Sequence, residues 1–272
     1  MSLIRNSTYQ SNIGMERMRR KTVEVSGIPV ACCSFDDVLL EMECVIRDRS
    51  SGNYISITNT ESMYHALRIP EHLRYIKGAR FSLCDGIGSV IAGFAWGHRI
   101  PRRNGPILML KACEYGVSRG WRHFFYGGKE RVADLMAKKL TEKFPGLITV
   151  GTYCPPFRSL TPEEDEKVAR LINDSKPDIV WVGLGLLKQE RWVADHLDKV
   201  QAPWMVGVGA AFDYHAGTVK WAPSWIQAIG MEWLYRTILQ PRLRIRRYYW
   251  SYIFMFQSIG QGLIERIRPG RM

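Results

Sequence analysis

Short apolar runs rich in β-branched and aromatic residues alternate with longer stretches of helical periodicity through most of this chain. Residues 54–58, 80–83, 123–126, 148–151, 178–183 and 204–208 read as strands. Residues 62–77, 107–118, 130–143, 162–175 and 189–198 read as the helices between them. Strands separated by helices of this length predict an α/β fold, a Rossmann-like and mostly parallel sheet flanked by helices. Thr161, Pro162 and Glu164 give one helix a cap, a first-turn proline and an acid at the positive end of its dipole. After Trp221 the strand pattern stops. Residues 224–239 predict one helix, Pro241 breaks it, and 242–267 predict a last one. The expected division is a basic N-terminal extension at 1–24, an α/β catalytic domain at 25–221 and a C-terminal helical appendage at 222–272.

Charge sharpens the reading of both ends. The formal net charge is +12, from 38 Lys and Arg against 26 Asp and Glu. Residues 1–20 are basic, and arginines recur from Arg236 to Arg271 against the single carboxylate Glu265. Such asymmetry calls for an anionic partner. In the last helix Arg242, Arg244, Arg246 and Arg247 precede a belt that includes Tyr248, Tyr249, Trp250, Tyr252, Phe254 and Phe256. Cations beside an aromatic and aliphatic belt describe an interfacial helix that docks on an anionic membrane surface. A helix packed on the core with solvated arginines is the plainer reading. Nucleic acid is not an expected partner, because no helix-turn-helix, RNP-type or zinc pattern accompanies the charge.

Other classes are narrowed by what is missing from the sequence. No apolar stretch reaches the ~20 residues that span a bilayer. The N-terminus lacks an apolar core of signal-peptide length, so no export is expected. Six cysteines without a C-x-x-C pair read as reduced thiols. The expected location is cytoplasmic, peripherally attached to the inner face of the cell membrane. There is no Asp-x-Asp, no G-x-S-x-G and no paired histidine spacing, so neither a metal nor a serine nucleophile is expected.

Candidate chemistry gathers at predicted strand ends. Gly183, Gly185, Lys188, Gln189 and Glu190 follow a buried strand and open a helix, a turn suited to a nucleotide. Asp85, in Asp85-Gly86-Ile87-Gly88, stands where open α/β sheets bind ligands and suits a general base or a helix cap. Asn59, beside Thr58, could orient a sugar hydroxyl or cap the next helix. Arg102 and Arg103 form a basic turn fit for a diphosphate. Gly127 and Gly128 make another close-approach turn, and Asp213 is a ligand or a structural turn carboxylate.

In order along the chain, Asn59-Thr60-Glu61, Asp85-Gly86-Ile87-Gly88, Gly127-Gly128-Lys129-Glu130, Phe144-Pro145-Gly146, Gly183-Leu184-Gly185 with Lys188-Gln189-Glu190, Ala211-Phe212-Asp213, Ala222-Pro223 and Gly230-Met231-Glu232-Trp233 resemble the WecG/TagA/CpsF family of bacterial glycosyltransferases. The resemblance covers roughly residues 25–248. It implies inverting, metal-independent transfer from a UDP-sugar to a polyprenyl-diphosphate-linked saccharide, in exopolysaccharide or other surface-polysaccharide biosynthesis, with no cofactor beyond the donor. It implies Asp85 as base, Asn59 near the sugar, Gln189 at the nucleotide, and Arg102 or Arg103 at the diphosphate. Arg236, Arg242, Arg244, Arg246, Arg247 and Trp250 would then serve the acceptor diphosphate and the membrane. A homo-oligomer is compatible with it. The chain departs from the family pattern at Ile57, Leu187, Ala210 and Trp221, and in lacking a carboxylate within Gly105-Pro106-Ile107-Leu108. These departures bear on the donor sugar and leave a second reading, a catalytically weak scaffold of an assembly complex.

Overall fold

The computed structural model describes residues 21–267, except for the side chains of Leu243, Arg244, Arg246 and Arg247. One sheet of eight strands runs in the order β1-β2-β4-β3-β8-β7-β5-β6. The strands are β1 (Thr22–Val25), β2 (Ile28–Ala31), β3 (Asn53–Thr58), β4 (Phe81–Cys84), β5 (Arg122–Gly127), β6 (Ile148–Tyr153), β7 (Ile179–Gly183) and β8 (Trp204–Gly207). All pairings are parallel except β1 with β2. Ile179, Val180, Trp181 and Val182 are all fully buried, as a strand covered by helices on both faces requires. One core layer holds Trp181, Phe125, Trp204 and Phe212, and the other holds Val180, Phe124, Tyr126 and Phe254.

Between the strands lie α1 (Phe35–Arg47), α2 (Thr60–Ala66), α3 (Pro70–Gly78), α4 (Ile87–Ala95), α5 (Gly105–Val117), α6 (Val132–Lys143), α7 (Pro162–Asp174), α8 (Lys188–His196) and α9 (Ala211–Ala216). The doubly wound expectation holds, and the Thr161 capping box at α7 forms as its spacing predicts.

Several elements differ from the sequence reading. The expected 62–77 helix is two helices, because Ile69 precedes Pro70 and takes an extended backbone, φ −121° and ψ 100°. Residues 22–24, expected in the extension, form β1. Its hairpin to β2 closes through Ser26 and Gly27, both at positive φ (52° and 75°). Helices α1 and α4 were not anticipated; α4 is glycine- and alanine-rich, with no polar face to reveal its period. The expected 224–239 helix is α10 (Ser224–Ala228) and α11 (Glu232–Leu239), parted at Gly230 with φ 76°.

The last helix, α12 (Pro241–Ile267), begins at the proline and lies across α2 and α4. Trp250 packs against Tyr64, Phe254 is fully buried, and Trp96 Nε1 donates to the Ser258 carbonyl at 3.0 Å. Gly262 is required there, since a Cβ would stand 2.9 Å from the Ala95 backbone. Among the described residues, no helix is long and apolar enough to cross a membrane.

Candidate active site

The C-terminal ends of β3 and β4 meet at Asp85. Its N–H donates to the Thr58 carbonyl at 2.9 Å, continuing the ladder one residue beyond β4. The next residue, Gly86, has φ 87° and ψ 149°, a conformation essentially reserved for glycine. Gly86 is the N-cap of α4 and has no side chain with which to cap it. Its half-buried carboxylate sits at the crevice where the chain, having laid β4 beside β3, crosses to β5 beyond β8. Cys84 beside it is pushed up to about 12 by burial, so the thiol stays protonated.

The neighbouring candidates divide. Asn59 caps α2, with Oδ1 accepting from Ser62 N–H at 2.9 Å. Thr58 is buried in a hydroxyl chain with Ser56 (3.1 Å) and Ser82 (3.0 Å), directed into the sheet rather than the crevice. Arg103 turns away: its Nε donates to the Cys33 carbonyl at 3.0 Å and the guanidinium lies over Phe35. Arg102 turns toward the appendage, donating to the Gln227 carbonyl at 2.5 Å and pairing with Glu232 at 3.3 Å.

Glu232 is the residue that sequence reasoning passed over. It opens α11, and Trp221 Nε1 donates to its second oxygen at 3.1 Å. Burial holds its carboxyl above the usual range, and the charge of Asp85 adds to that, while Trp221 and Arg102 oppose it. The helices α10 and α11 therefore form a roof beside Asp85, seated where Gly230 meets Ile87. The signal was present, since Glu232 lies within the quoted Gly230-Met231-Glu232-Trp233 stretch, but nothing local says that it pairs with Arg102.

On the other side of β8 the glycines separate by purpose. A Cβ on Gly127 would fall 2.7 Å from the Gly183 carbonyl carbon. One on Gly128 would fall 3.2 Å from the Phe212 ring. These positions serve packing. Gly185 has φ 83° with open space around it, so this glycine borders the crevice. Leu187 caps α8 at φ 68°, a backbone that proline cannot adopt. Gln189 is buried over Gly207 and Gly209, and its Oε1 has no hydrogen-bond partner among the described residues. Glu190 is buried beside it and faces Tyr75, whose phenol it helps to raise after burial itself. Lys188 is exposed, with Nζ 5.8 Å from the Phe157 ring centroid. The Asp213 carboxylate accepts from Thr218 Oγ1 at 3.1 Å, while the Asp213 backbone carbonyl accepts from Thr218 N–H at 3.0 Å, so the side chain braces the turn that follows.

Residues 23–268 match the Glycosyl transferase WecG/TagA/CpsF family. The chain belongs to this family. It is 28% identical over 223 residues to the N-acetylglucosaminyldiphosphoundecaprenol N-acetyl-beta-D-mannosaminyltransferase of Bacillus subtilis (strain 168), covering 81% of this chain and 85% of that one. To the enzyme of the same name from Staphylococcus aureus (strain NCTC 8325 / PS 47) it is 26% identical over 247 residues, covering 89% and 94%.

In this glycosyltransferase the appendage carries two kinds of contact. Arg236 lies over the Tyr214 ring at 4.6 Å, and Tyr214 also stacks with Trp221, at 5.4 Å and 8°. Trp250 is half-buried as a joint to α2, so its ring is engaged by the protein. Arg242 is exposed. The side chains of Arg244, Arg246 and Arg247 lie outside the described residues. The face of α12 turned from the body carries Ile245, Tyr249, Tyr252 and Phe256 at alternating spacings of four, three and four, all exposed. Trp225, Ile229 and Ile238 of the roof are exposed as well.

Proposed function

We propose that this glycosyltransferase moves a hexose from a UDP-sugar to a polyprenyl-diphosphate-linked saccharide, with inversion and without a metal, at the cytoplasmic face of a bacterial membrane. The product would enter an exopolysaccharide or another surface polysaccharide. The observation that carries this reading is the setting of Asp85, a half-buried carboxylate at the C-terminal end of β4, beside a roof supplied by the appendage. The two relatives support the acceptor class, since their names specify transfer to N-acetylglucosaminyldiphosphoundecaprenol.

Each group then has a task. Asp85 takes the proton of the acceptor hydroxyl as its oxygen attacks the anomeric carbon from the face opposite UDP, and a single displacement inverts that carbon. The N-terminus of α8 presents its positive dipole end, open at Gly185, to the leaving diphosphate. Gln189 Oε1 accepts a hydrogen bond from the nucleoside, which satisfies an otherwise orphaned buried oxygen. The exposed apolar stripe of α12 supports docking of the site on an anionic bilayer.

The test is UDP release across a panel of UDP-sugars, with a polyprenyl-diphospho-N-acetylglucosamine acceptor in nanodiscs. Acceptor-dependent release with one donor is expected. Asp85→Asn should cut transfer at least ~100-fold while UDP affinity stays near wild type. Intact UDP binding with no release from any donor would favour the scaffold.

A further inference from the structure

The buried amide of Gln189 is held in one orientation. Its Nε2 donates to Glu190 Oε1 at 3.1 Å, so the nitrogen end is committed to the protein. Its Oε1, in a residue only 5% exposed, has no hydrogen-bond partner among the described residues. Two glycines at and just beyond the end of β8 make the bed for this amide. A Cβ on Gly207 would stand 3.0 Å from Nε2, and one on Gly209 would stand 3.4 Å from Oε1. The amide thus lies along the strand end, nitrogen over Gly207 and oxygen over Gly209.

The oxygen end lies toward Gly185. The Gly185 Cα is 4.0 Å from the Cβ position of Gly209, and Gly185 itself has open space where a side chain would stand. Gln189 N–H donates to the Gly185 carbonyl at 3.0 Å, which closes the first turn of α8 around that gap. A ligand that enters past Gly185 therefore meets an oxygen, with the amide N–H turned away. A buried acceptor left without a partner is satisfied only by a donor. The N3–H imide of uracil is such a group. Cytosine carries a lone pair at the same ring position, which would oppose Oε1. A ribose hydroxyl would bring lone pairs of its own, while the amide N–H that could satisfy them is committed to Glu190.

We propose that Glu190 is a positioning residue that sets the base specificity of this site. By holding Gln189 Nε2 it fixes the amide so that only oxygen meets the base, and the site takes an imide N–H, that of uracil. The inference rests on the reading of a uridine diphosphate donor. Selection follows from what is left unpaired. With uracil the buried oxygen gains its partner. With cytosine two lone pairs would be pressed together out of water, and a site built around a hydrogen bond rejects such a ligand strongly. An amide free to turn would offer its NH2 end to cytosine, and selection would be lost. Glu190, itself buried, prevents that turn through a hydrogen bond to a carboxylate, the stronger kind.

Isothermal titration calorimetry of the full-length protein with UDP, CDP and N3-methyl-UDP tests this. UDP should bind at least ~tenfold more tightly than either of the others. Glu190→Met, which removes the acceptor for Nε2, should bring the UDP and CDP affinities within about threefold of each other. Glu190→Gln, which keeps an oxygen there, should retain most of the preference. Equal binding of all three by the wild-type protein overturns the inference and leaves the UDP-donor reading standing. Tolerance of N3-methyl-UDP with loss of 2′-deoxy-UDP also overturns it, since the donor would then be a ribose hydroxyl. No binding of UDP itself would instead overturn the reading on which the inference rests. An unmoved UDP-to-CDP ratio in a Glu190→Met protein of wild-type melting temperature overturns the role of Glu190. If Glu190→Met melts early, the wild-type Gln189 side-chain 15N resonance decides. It should stay in place as UDP saturates, and a large displacement would mean that the nitrogen meets the ligand, which overturns the inference equally.

Discussion

Gly183, the last residue of β7, lies against the ring of Phe212 in α9 so closely that a Cβ there would stand 2.5 Å from the ring's Cδ2. Gly128 N–H donates to the Gly183 carbonyl at 2.9 Å, and Gly127 backs onto the same peptide. Three glycines thus let two strand ends and a ring come together. Gly183→Ala should therefore destabilise the protein by roughly 1–3 kcal/mol, the usual cost of overpacking a tight interior. Thermal denaturation checks it, and an unchanged melting temperature would mean that Phe212 yields freely.

Leu187 supplies the second prediction. At φ 68° and ψ −38° it holds a backbone that costs on the order of 1–3 kcal/mol for a residue with a side chain. Leu187→Pro cannot adopt that φ, so it should lower the melting temperature and weaken UDP binding at least ~tenfold by displacing the start of α8. Leu187→Gly should melt no earlier than wild type, because strain relief offsets the entropy that glycine adds to the unfolded chain. Differential scanning calorimetry with UDP titration separates the two.

Membrane attachment is best tested on the surface of α12. Removing residues 242–272 would also strip Phe254 and Ser258 from α2 and α4 and bare Trp96, so loss of binding would be ambiguous. Tyr249→Ser with Phe256→Ser alters only exposed rings, 58% and 68% accessible. Each ring contributes on the order of 1–2 kcal/mol when buried in an interface, so the pair should weaken co-sedimentation with anionic vesicles at least ~tenfold. The fold should be unaffected, by circular dichroism. Undiminished sedimentation would place the docking surface elsewhere.

Acid should destabilise the fold through buried histidines. Burial depresses His72 and His215 to about 4 and His123 to about 3. The charge of His65 adds to the effect at His72 and that of Lys143 at His215, while hydrogen bonds to Ser62 and to the Pro106 carbonyl oppose it. A folded-state pKa below the unfolded 6.5 means that the unfolded chain binds the proton first. The stability is complete above pH 6.5 and is lost as pH falls toward 4, by about 1.4 kcal/mol per pH unit for each histidine. His72→Gln should flatten the slope of stability against pH by about one proton between pH 6 and 4.5, measured by urea unfolding.

The legibility of the site followed the range of the forces involved. Asp85 could be placed at a strand end because the apolar run 80–83 and the glycines after it are local. That Asn59 caps α2 was equally local, as one of two readings. Thr58 was invisible as a buried hydroxyl because its partners are Ser56 on its own strand and Ser82 on the next. The turning of Arg103 onto Cys33 and of Arg102 onto Glu232 depended on elements 70 and 130 positions away.

By itself the sequence determined the α/β alternation, the parallel core strands, the helical appendage and the family. All of these rest on short-range periodicity, turn chemistry and ordered motifs. Only the tertiary structure decided that Gly127, Gly128 and Gly183 serve Phe212 while Gly185 borders the crevice, because the space around a glycine is set by distant side chains. It alone brought Glu232 to Arg102. A carboxylate's partners are fixed by how helices pack, and residues 102 and 232 meet only after the chain has wound through the rest of the sheet.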